Sequence, residues 1–544
     1  MNHRKYSVIS MMVLAALLSA CGTGQAPSLT ARKSESVVVL VEPPMARVAM
    51  MAAPMHKAMA YSRQHIPEMR PPVQNTEQYG KIETNPVQAV AQQPVSTFSI
   101  DVDTGSYANT RRFLNEGSLP PVEAVRLEEL INYFDYAYPQ PQDNQPFAVH
   151  TETVDSPWQA NAKIIKVGIQ AKDLAVSQLP PANLVFLVDV SGSMMAENKL
   201  PLVKQTLRLL TEQLRPQDKV TLITYASGEK LVLPPTSGKE KDTILRAINE
   251  LQAGGATAGE SAIQLAYKEA EKAFIKNGIN RILLATDGDF NVGITDFDTL
   301  KGMVAEKRKT GVSLTTLGFG TGNYNEHLME QLADAGDGNY SYIDNKNEAK
   351  KVLQRQLSST LATVAQDVKI QVEFNPATVK EYRLIGYENR MLKQEDFNND
   401  KVDAGDIGAG HNVTALYEII PVGKQGWLDE SRYQQKPATS GSKNEYAFVK
   451  LRYKKPNQSE SILISQAIPV GSKPWSEADK QTRFALAVAA YGQQLRGGQY
   501  NGKMGWDNII QLAQSSAQPD PYGLREEFIE LVKIAKSLSA KQAE

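Results

Sequence analysis

Two aspartates, two serines and a threonine stand out by type and setting. They are Asp189, Ser191 and Ser193 in Asp189-Val190-Ser191-Gly192-Ser193, Thr257 in Gly254-Gly255-Ala256-Thr257, and Asp287 in Thr286-Asp287-Gly288. Asp189 follows directly on an apolar run, and Asp287 follows another with Thr286 between. Two carboxylates and three hydroxyls make a donor set of oxygen alone, which suits a hard cation such as Mg2+ or Mn2+ in octahedral geometry with a position left for water or an external ligand. Alternation along the first loop lets Ser191 and Ser193 point the same way, and Gly192 permits the tight turn between them. Singly these signals are weak, since Asp-Gly marks turns and Ser-Gly-Ser is frequent in loops. Their weight lies in the set, with each member placed after its own element.

The elements that must position them lie in residues 183–361. Leu184–Val188 is a continuous apolar run, Val220–Thr224 reads as a second strand, and Arg281–Ala285 and Val312–Gly318 repeat the pattern. Helical patterns at Lys199–Leu214, Lys241–Leu251, Ala258–Lys276, Phe297–Thr310 and Tyr324–Ala335 alternate with them. Strands buried on both faces and alternating with helices predict an α/β fold with a doubly wound, mostly parallel sheet, whose ligands bind at the carboxyl ends of its strands. Asp189 and Asp287 both fall there. Around this block, seven short alternating runs read as the strands of a β-sandwich. Phe147–Val154 and Ala162–Gln170 precede it, and Asp367–Phe374, Glu381–Tyr387, Asn412–Pro421, Glu445–Tyr453 and Glu460–Ala467 follow it. The split predicts that the α/β domain is inserted within the sandwich, an arrangement tolerated when a domain's termini lie close together. A strand at Val95–Ile100 and helices at Ser106–Glu116 and Pro121–Phe134 come before the sandwich, and three helices, Glu477–Leu495, Trp506–Ser515 and Tyr522–Ser537, come after it. The expected division is therefore 95–182 for an N-terminal extension with two sandwich strands, 183–361 for the inserted domain, 362–470 for the rest of the sandwich and 471–544 for a helical end.

At this point the pattern resembles a known family. D-x-S-x-S after a buried strand, then a Thr and an Asp on later loops, is similar to the metal-ion-dependent adhesion site of von Willebrand factor type A domains. The resemblance implies that Ser191 and Ser193 bind the metal directly, Asp189 and Asp287 mostly through water, and Thr257 either way. It also implies that a partner's Glu or Asp carboxylate fills the open position. Beyond the insert, Phe98-Ser99-Ile100-Asp101-Val102-Asp103-Thr104-Gly105-Ser106-Tyr107 and Ala409-Gly410-His411-Asn412-Val413-Thr414-Ala415-Leu416-Tyr417-Glu418 resemble bacterial lipoproteins of the YfbK type. That likeness runs roughly from Val95 to the end.

The remaining signals concern location and competing functions. His3, Arg4 and Lys5 followed by the apolar run Val8–Leu18 read as a secretory signal, too short to span a bilayer. The run ends in Leu18-Ser19-Ala20-Cys21, which resembles the bacterial lipobox and implies a signal peptide over 1–20 and acylation of Cys21, whose several acyl chains give stable anchoring. Gly22 rather than Asp after it favours an outer-membrane lipoprotein facing the periplasm over an inner-membrane one. Residues 21–94, with many Ala, Pro, Gln and Ser, read as a disordered tether reaching roughly 50 Å. Methionines 45, 50, 51, 55, 59 and 69 with His56 and His65 could hold soft copper there, although a sticky linker explains them as well. Cys21 is the single cysteine, which excludes an internal disulfide and a thiolate zinc site. Lys plus Arg number 59 against 60 Asp plus Glu, so no global charge recruits nucleic acid. Asp103-Thr104-Gly105 copies an aspartic-protease triplet, but no second triplet occurs. Asp396-Phe397-Asn398-Asn399-Asp400 begins like a calcium loop but lacks its Gly and final Glu, so an Asx-rich turn is expected. The absence of G-x-S-x-G, H-E-x-x-H or a P-loop argues against an enzyme. The leading expectation is a membrane-tethered module that captures an envelope protein through Mg2+ or Mn2+. A metal-assisted hydrolase and a structural envelope protein with a vestigial site stay open as alternatives.

Overall fold

Every residue of the run Ala182–Asp189 is buried, and its side chains alternate between two cores. Leu184, Phe186 and Val188 pack with helices Leu200–Gln213 and Lys241–Asn249, while Val185 and Leu187 pack with helices Glu260–Lys272 and Glu326–Ala335. A period of two with both faces covered is why Leu184–Val188 is apolar throughout. The computed structural model describes residues 76–543, apart from 143–144, 257–258, 289–296, 360–361, 430–442, 457, 517, 519 and 521. It sets this strand inside a six-stranded sheet in the order Tyr340–Ile343, Ser313–Phe319, Ile279–Thr286, Ala182–Asp189, Lys219–Tyr225, Glu229–Ser237. The first five run parallel and the last is antiparallel. The expected doubly wound, mostly parallel sheet is thus present. Glu229–Ser237 was not anticipated, because it carries Pro234-Pro235. At a sheet edge the missing N–H groups leave no ladder bond unmade.

The β-sandwich also forms, and its register crosses the insert. Asn412–Ile419 pairs antiparallel with Lys163–Gln170, which in turn pairs with Phe147–Asp155. Opposite them, Thr363–Phe374 pairs with Glu445–Lys454, which carries Ser461–Pro469, and Val95–Ser99 joins on Thr363–Phe374. Ile165, Val167 and Ile169 from one sheet meet Ile370, Val372 and Phe374 from the other in one core. The tether expectation for 21–94 needs correction at its end. Gln88–Ala89 pairs with Glu381–Tyr382, Val90 is buried, and Gln78 bridges to Asn325. Residues 76–94 therefore belong to the folded body. The methionine-rich stretch and Cys21 lie outside the described residues.

A third core answers where the C-terminal helices go. Lys480–Leu495, Trp506–Gln514 and Leu524–Ala543 pack on the N-terminal helices Gly105–Asn115 and Leu127–Asn132, with Phe134, Phe484 and Phe528 in mutual edge-to-face contact. The single helix expected over Pro121–Phe134 is broken into a 3-10 turn at Val122–Ala124 and the helix from Leu127. The break is tertiary in origin: the Ser106 hydroxyl donates to the Ala124 carbonyl at 2.6 Å and accepts from the Arg126 N–H at 2.9 Å.

The two motif decoys are tied into this frame. Asp103 accepts from the Tyr340 N–H at 2.9 Å and from Arg390 at 3.2 Å. In the Asx-rich turn, the Asp396 carboxylate accepts the Lys393 N–H, and Arg452 donates to the side chains of Asn398 and Asp400, so the side-chain oxygens a calcium ion would use already have protein donors.

Where the N-terminal helices, the α/β domain and the sandwich meet, Asp101, Asp103, Glu128, Glu129, Glu326 and Glu330 are buried around Arg126 and Arg390. Burial is the main cause that pushes Glu128 and Glu330 each up to about 7, with neighbouring carboxylates adding to it. Burial, helped by the charge of Asp337, likewise pushes Asp406 up to about 8. These groups hold protons in the folded chain that the unfolded chain has already released, so the folded state binds more protons between their ordinary range and about 7 to 8. Stability then falls as pH rises through that window. Thermal melts are expected to show a higher midpoint at pH 5.5 than at pH 8, by an amount worth roughly a few kcal/mol. A midpoint that is flat or rises across this interval would contradict the assignment.

Candidate functional site

The central strand Ala182–Asp189 is where the sheet order reverses, since its chain neighbours Lys219–Tyr225 and Ile279–Thr286 pair on opposite sides of it. Such a switch point leaves a crevice outside the carboxyl ends of the strands. Asp189 ends this strand, Asp287 follows the neighbouring one, and both are fully buried. One Asp189 oxygen accepts the Ser191 N–H at 2.8 Å and the other accepts the Thr286 hydroxyl at 3.0 Å. Burial pushes the Asp189 carboxyl up to about 6, with the nearby charge of Asp287 adding to the rise, while the bonds from Ser191 and Thr286 pull it down.

Ser191 and Ser193 do point the same way, their hydroxyl oxygens 3.0 Å apart. The turn between them is made differently from the expectation. Gly192 opens a 3-10 turn, Gly192–Met195, with no left-handed backbone. A Cβ on Gly192 would approach only the Gly255 carbonyl, at an ordinary 3.4 Å. What holds the turn is the Gly192 N–H donating to that carbonyl at 2.9 Å, which also fastens the Gly254-Gly255 loop beside it. Thr257 lies outside the described residues, as does the loop beyond Asp287 from residue 289.

The structure thus brings Asp189, Ser191, Ser193 and Asp287 to one sheet edge. Adjacent oxygens on an octahedral Mg2+ at 2.0–2.1 Å are separated by about 2.9 Å. The 3.0 Å spacing of the two hydroxyls fits such an edge. Among the described residues no group of three or more His, Cys, Asp or Glu side chains could hold a metal ion, so a cation here must rely on serine hydroxyls as well as carboxylates. Ser191 and Ser193 would be direct donors, and Asp189 and Asp287 would supply the negative charge.

Sequence reasoning missed two members of this site. The Lys199 ammonium donates to Asp287 Oδ2 and to Asn323 Oδ1, both at 2.9 Å, and Asn323 Nδ2 donates to the same Asp287 oxygen at 3.1 Å. Lys199 stands just before helix Leu200–Gln213, which returns from the Ser191 loop across the sheet edge. Its place at that helix start was the signal that could have found it. Asn323 had none, because it arrives from a loop after a different strand. That loop is held from behind: Thr76 N–H donates to the Gly322 carbonyl, Gln78 N–H to that of Tyr324, and Gly322 N–H to Glu77.

Comparison with known proteins agrees with this architecture. Residues 183–356 match the von Willebrand factor type A domain family, 73–166 match a family described as von Willebrand factor, and 359–538 match "Uncharacterized protein YfbK, C-terminal". The uncharacterized protein YfbK of Escherichia coli (strain K12) is 49% identical over 475 residues, which cover 85% of this chain and 82% of that protein. The chain belongs to the YfbK family. Within this YfbK-family chain, 196 residues are 31% identical to inter-alpha-trypsin inhibitor heavy chain H4 of Bos taurus, covering 34% of the chain and 21% of that protein. A solved structure, von Willebrand factor type A from Catenulispora acidiphila, is 16% identical with a TM-score of 0.40, over 70% of the YfbK-family chain and 89% of its own. Type A domains mediate protein binding and often bind divalent cations through this kind of motif.

Proposed function

We propose that the chain is an envelope lipoprotein, anchored through Cys21 in the outer membrane and facing the periplasm, that binds a partner protein without turning it over. The observation that carries this reading is the pair of hydroxyls on Ser191 and Ser193 at 3.0 Å, set beside the two buried carboxylates at the switch point of the sheet. A divalent cation held there by Ser191, Ser193 and Thr257, with Asp189 and Asp287 supplying charge, offers a Lewis-acidic position to an Asp or Glu of the partner. Because the direct donors are neutral hydroxyls, the cation keeps most of its charge for that carboxylate, and a charge-assisted bond is stronger than a neutral one. Met195, two residues beyond Ser193, is 67% exposed and supplies an apolar contact next to the charged one. Such an amphipathic patch suits a protein surface. The one histidine of the insert, His327, sits on helix Glu326–Ala335 with its ring bonded to Gln331 of the same helix.

Crosslinking pull-down from envelope extracts tests the reading. With Mg2+ the chain is expected to retain a discrete partner that is lost in chelator. A captured set that is the same with and without chelator would remove the metal-bridged reading. Hydrolysis of generic phosphoester or peptide substrates that disappears with Asp189→Ala would favour a metal-assisted hydrolase instead.

A further inference from the structure

The metal site contains a cation of its own. The Lys199 side chain is 8% exposed, and its ammonium closes a triangle with Asp287 and Asn323 in which every edge is a hydrogen bond. The position is built for it. Gly320 has a left-handed backbone with φ +78, and a Cβ there would lie 2.4 Å from both Cγ and Cε of Lys199, so the lysine stem occupies the space a side chain would need. The far side of the triangle is fixed by the 76–78 segment on the Gly322–Tyr324 loop.

We propose that Lys199 is the resident counter-ion of this site: it holds Asp287 when no divalent cation is bound, opposes the cation's entry, and leaves the loaded site with one net positive charge. The inference rests on the metal-binding reading above and extends it to the ligand. Asp189 and Asp287 together balance a divalent cation, and the serine hydroxyls are neutral. Among the described residues, Lys199 therefore adds a single uncompensated charge in a buried setting, where such a charge is costly. One partner carboxylate cancels it. A phosphate dianion overshoots, and a neutral hydroxyl or amide leaves it uncancelled. Lys199 thus acts as a positioning and specificity residue, setting a site that loads weakly alone and tightly when a carboxylate arrives with the metal.

Titration of the full chain with Mn2+, read by the paramagnetic resonance of the free ion, tests this with Mn2+ and acetate as the probes. Lys199→Met is expected to bind Mn2+ tenfold or more tightly than wild type, because a like charge a few ångströms away is gone. Lys199→Arg, which keeps the charge, stays at or below wild type. Acetate is expected to tighten Mn2+ binding more in wild type than in Lys199→Met, since the coupling between metal and carboxylate is reciprocal. In chelator Lys199→Met melts below wild type, and the gap narrows with Mn2+. A structural lysine alone would give weaker metal binding on removal, so Mn2+ affinity that is unchanged or lower in folded Lys199→Met overturns the proposal. If Lys199→Met is too unstable to titrate, Lys199→Met/Asp287→Asn removes both buried charges and is expected to regain the melting point. A double variant as unstable as the single one also overturns it. Loss of Mn2+ binding by wild type itself, or binding indifferent to Asp189→Ala, is a failure of the underlying metal reading, and the chelator melts still decide the counter-ion.

Discussion

Replacing Asp189 by alanine is expected to lower divalent-cation affinity by about 10- to 100-fold, the usual cost of deleting a carboxylate that acts on a metal through hydrogen-bonded neighbours or water. Metal-dependent partner capture is expected to go with it. Two opposing effects decide what happens to the fold. The alanine leaves the buried Ser191 N–H and Thr286 hydroxyl without their acceptor, which costs about 1–3 kcal/mol. It also removes a carboxylate that burial and the charge of Asp287 make hard to ionise, as its rise to about 6 records. The net loss of stability is therefore smaller than the bonds alone suggest. Asp189→Asn sharpens the comparison, because its amide oxygen still accepts the Ser191 N–H while the charge is gone. The asparagine variant is expected to melt near wild type and still lose the metal. Calorimetric titration with Mn2+ beside thermal melts separates the two contributions. An asparagine variant that binds Mn2+ as wild type does would show that Asp189 is a structural residue only.

The other large effect is expected at Arg111. Its guanidinium is 2% exposed and joins three parts of the chain. From helix Gly105–Asn115 it donates to both oxygens of Asp344 at 2.8 and 2.5 Å and to Glu348 at 2.8 Å, both in the type A domain. It also reaches Glu527 of the last helix at 3.0 Å and the Tyr133 hydroxyl at 2.9 Å. Burial by itself would lower the guanidinium, but the surrounding acids and Tyr133 outweigh it and hold Arg111 well above its ordinary range. Arg111→Met fills the space but leaves Asp344 buried without its cation and Glu348 with Lys351 alone, at 3.3 Å, and breaking a buried ion pair from one side costs about 3–5 kcal/mol. Urea unfolding is expected to show that loss. Arg111→Met/Asp344→Asn is expected to recover part of it, because the orphaned charge has gone. A loss of less than about 1 kcal/mol would mean that the three parts are held by their apolar cores and not by this guanidinium.

Both variants bear on how the site is coupled to the rest of the chain. Asp189 is anchored within two neighbouring strands, so its effect stays local. Arg111 is far from Asp189 in sequence, yet it ties the Asp344–Glu348 end of the type A domain to the terminal helices. Its variant therefore also asks whether the domain can keep its site when that attachment is weakened. Mn2+ affinity unchanged in a destabilised Arg111→Met would show that the site is self-contained.

The elements of this protein were legible wherever a short-range rule governs them. Period-two and continuous apolar runs identified the sandwich strands and the four inner strands of the sheet, because burial on one or both faces writes itself directly into residue alternation. The placement of Asp189, Ser191, Ser193 and Asp287 at one sheet edge was legible for a related reason: the carboxyl end of a buried strand is a fixed place in an α/β sheet. The strand Glu229–Ser237 was hidden by its prolines, and the helix break at Val125 by hydrogen bonds from Ser106, a residue on another helix. The folded 76–94 segment was hidden because its order comes from partners far along the chain, such as Glu381, Gly322 and Tyr324. By itself, then, the sequence determined the type A sheet, the sandwich around it and the oxygen-bearing residues that meet at the edge of that sheet. The tertiary structure decided that Lys199 and Asn323 close on Asp287 and that Arg111 ties helix Gly105–Asn115 to the type A domain and the last helix. Those contacts depend on which distant elements meet, and no local pattern of residues encodes a meeting of that kind.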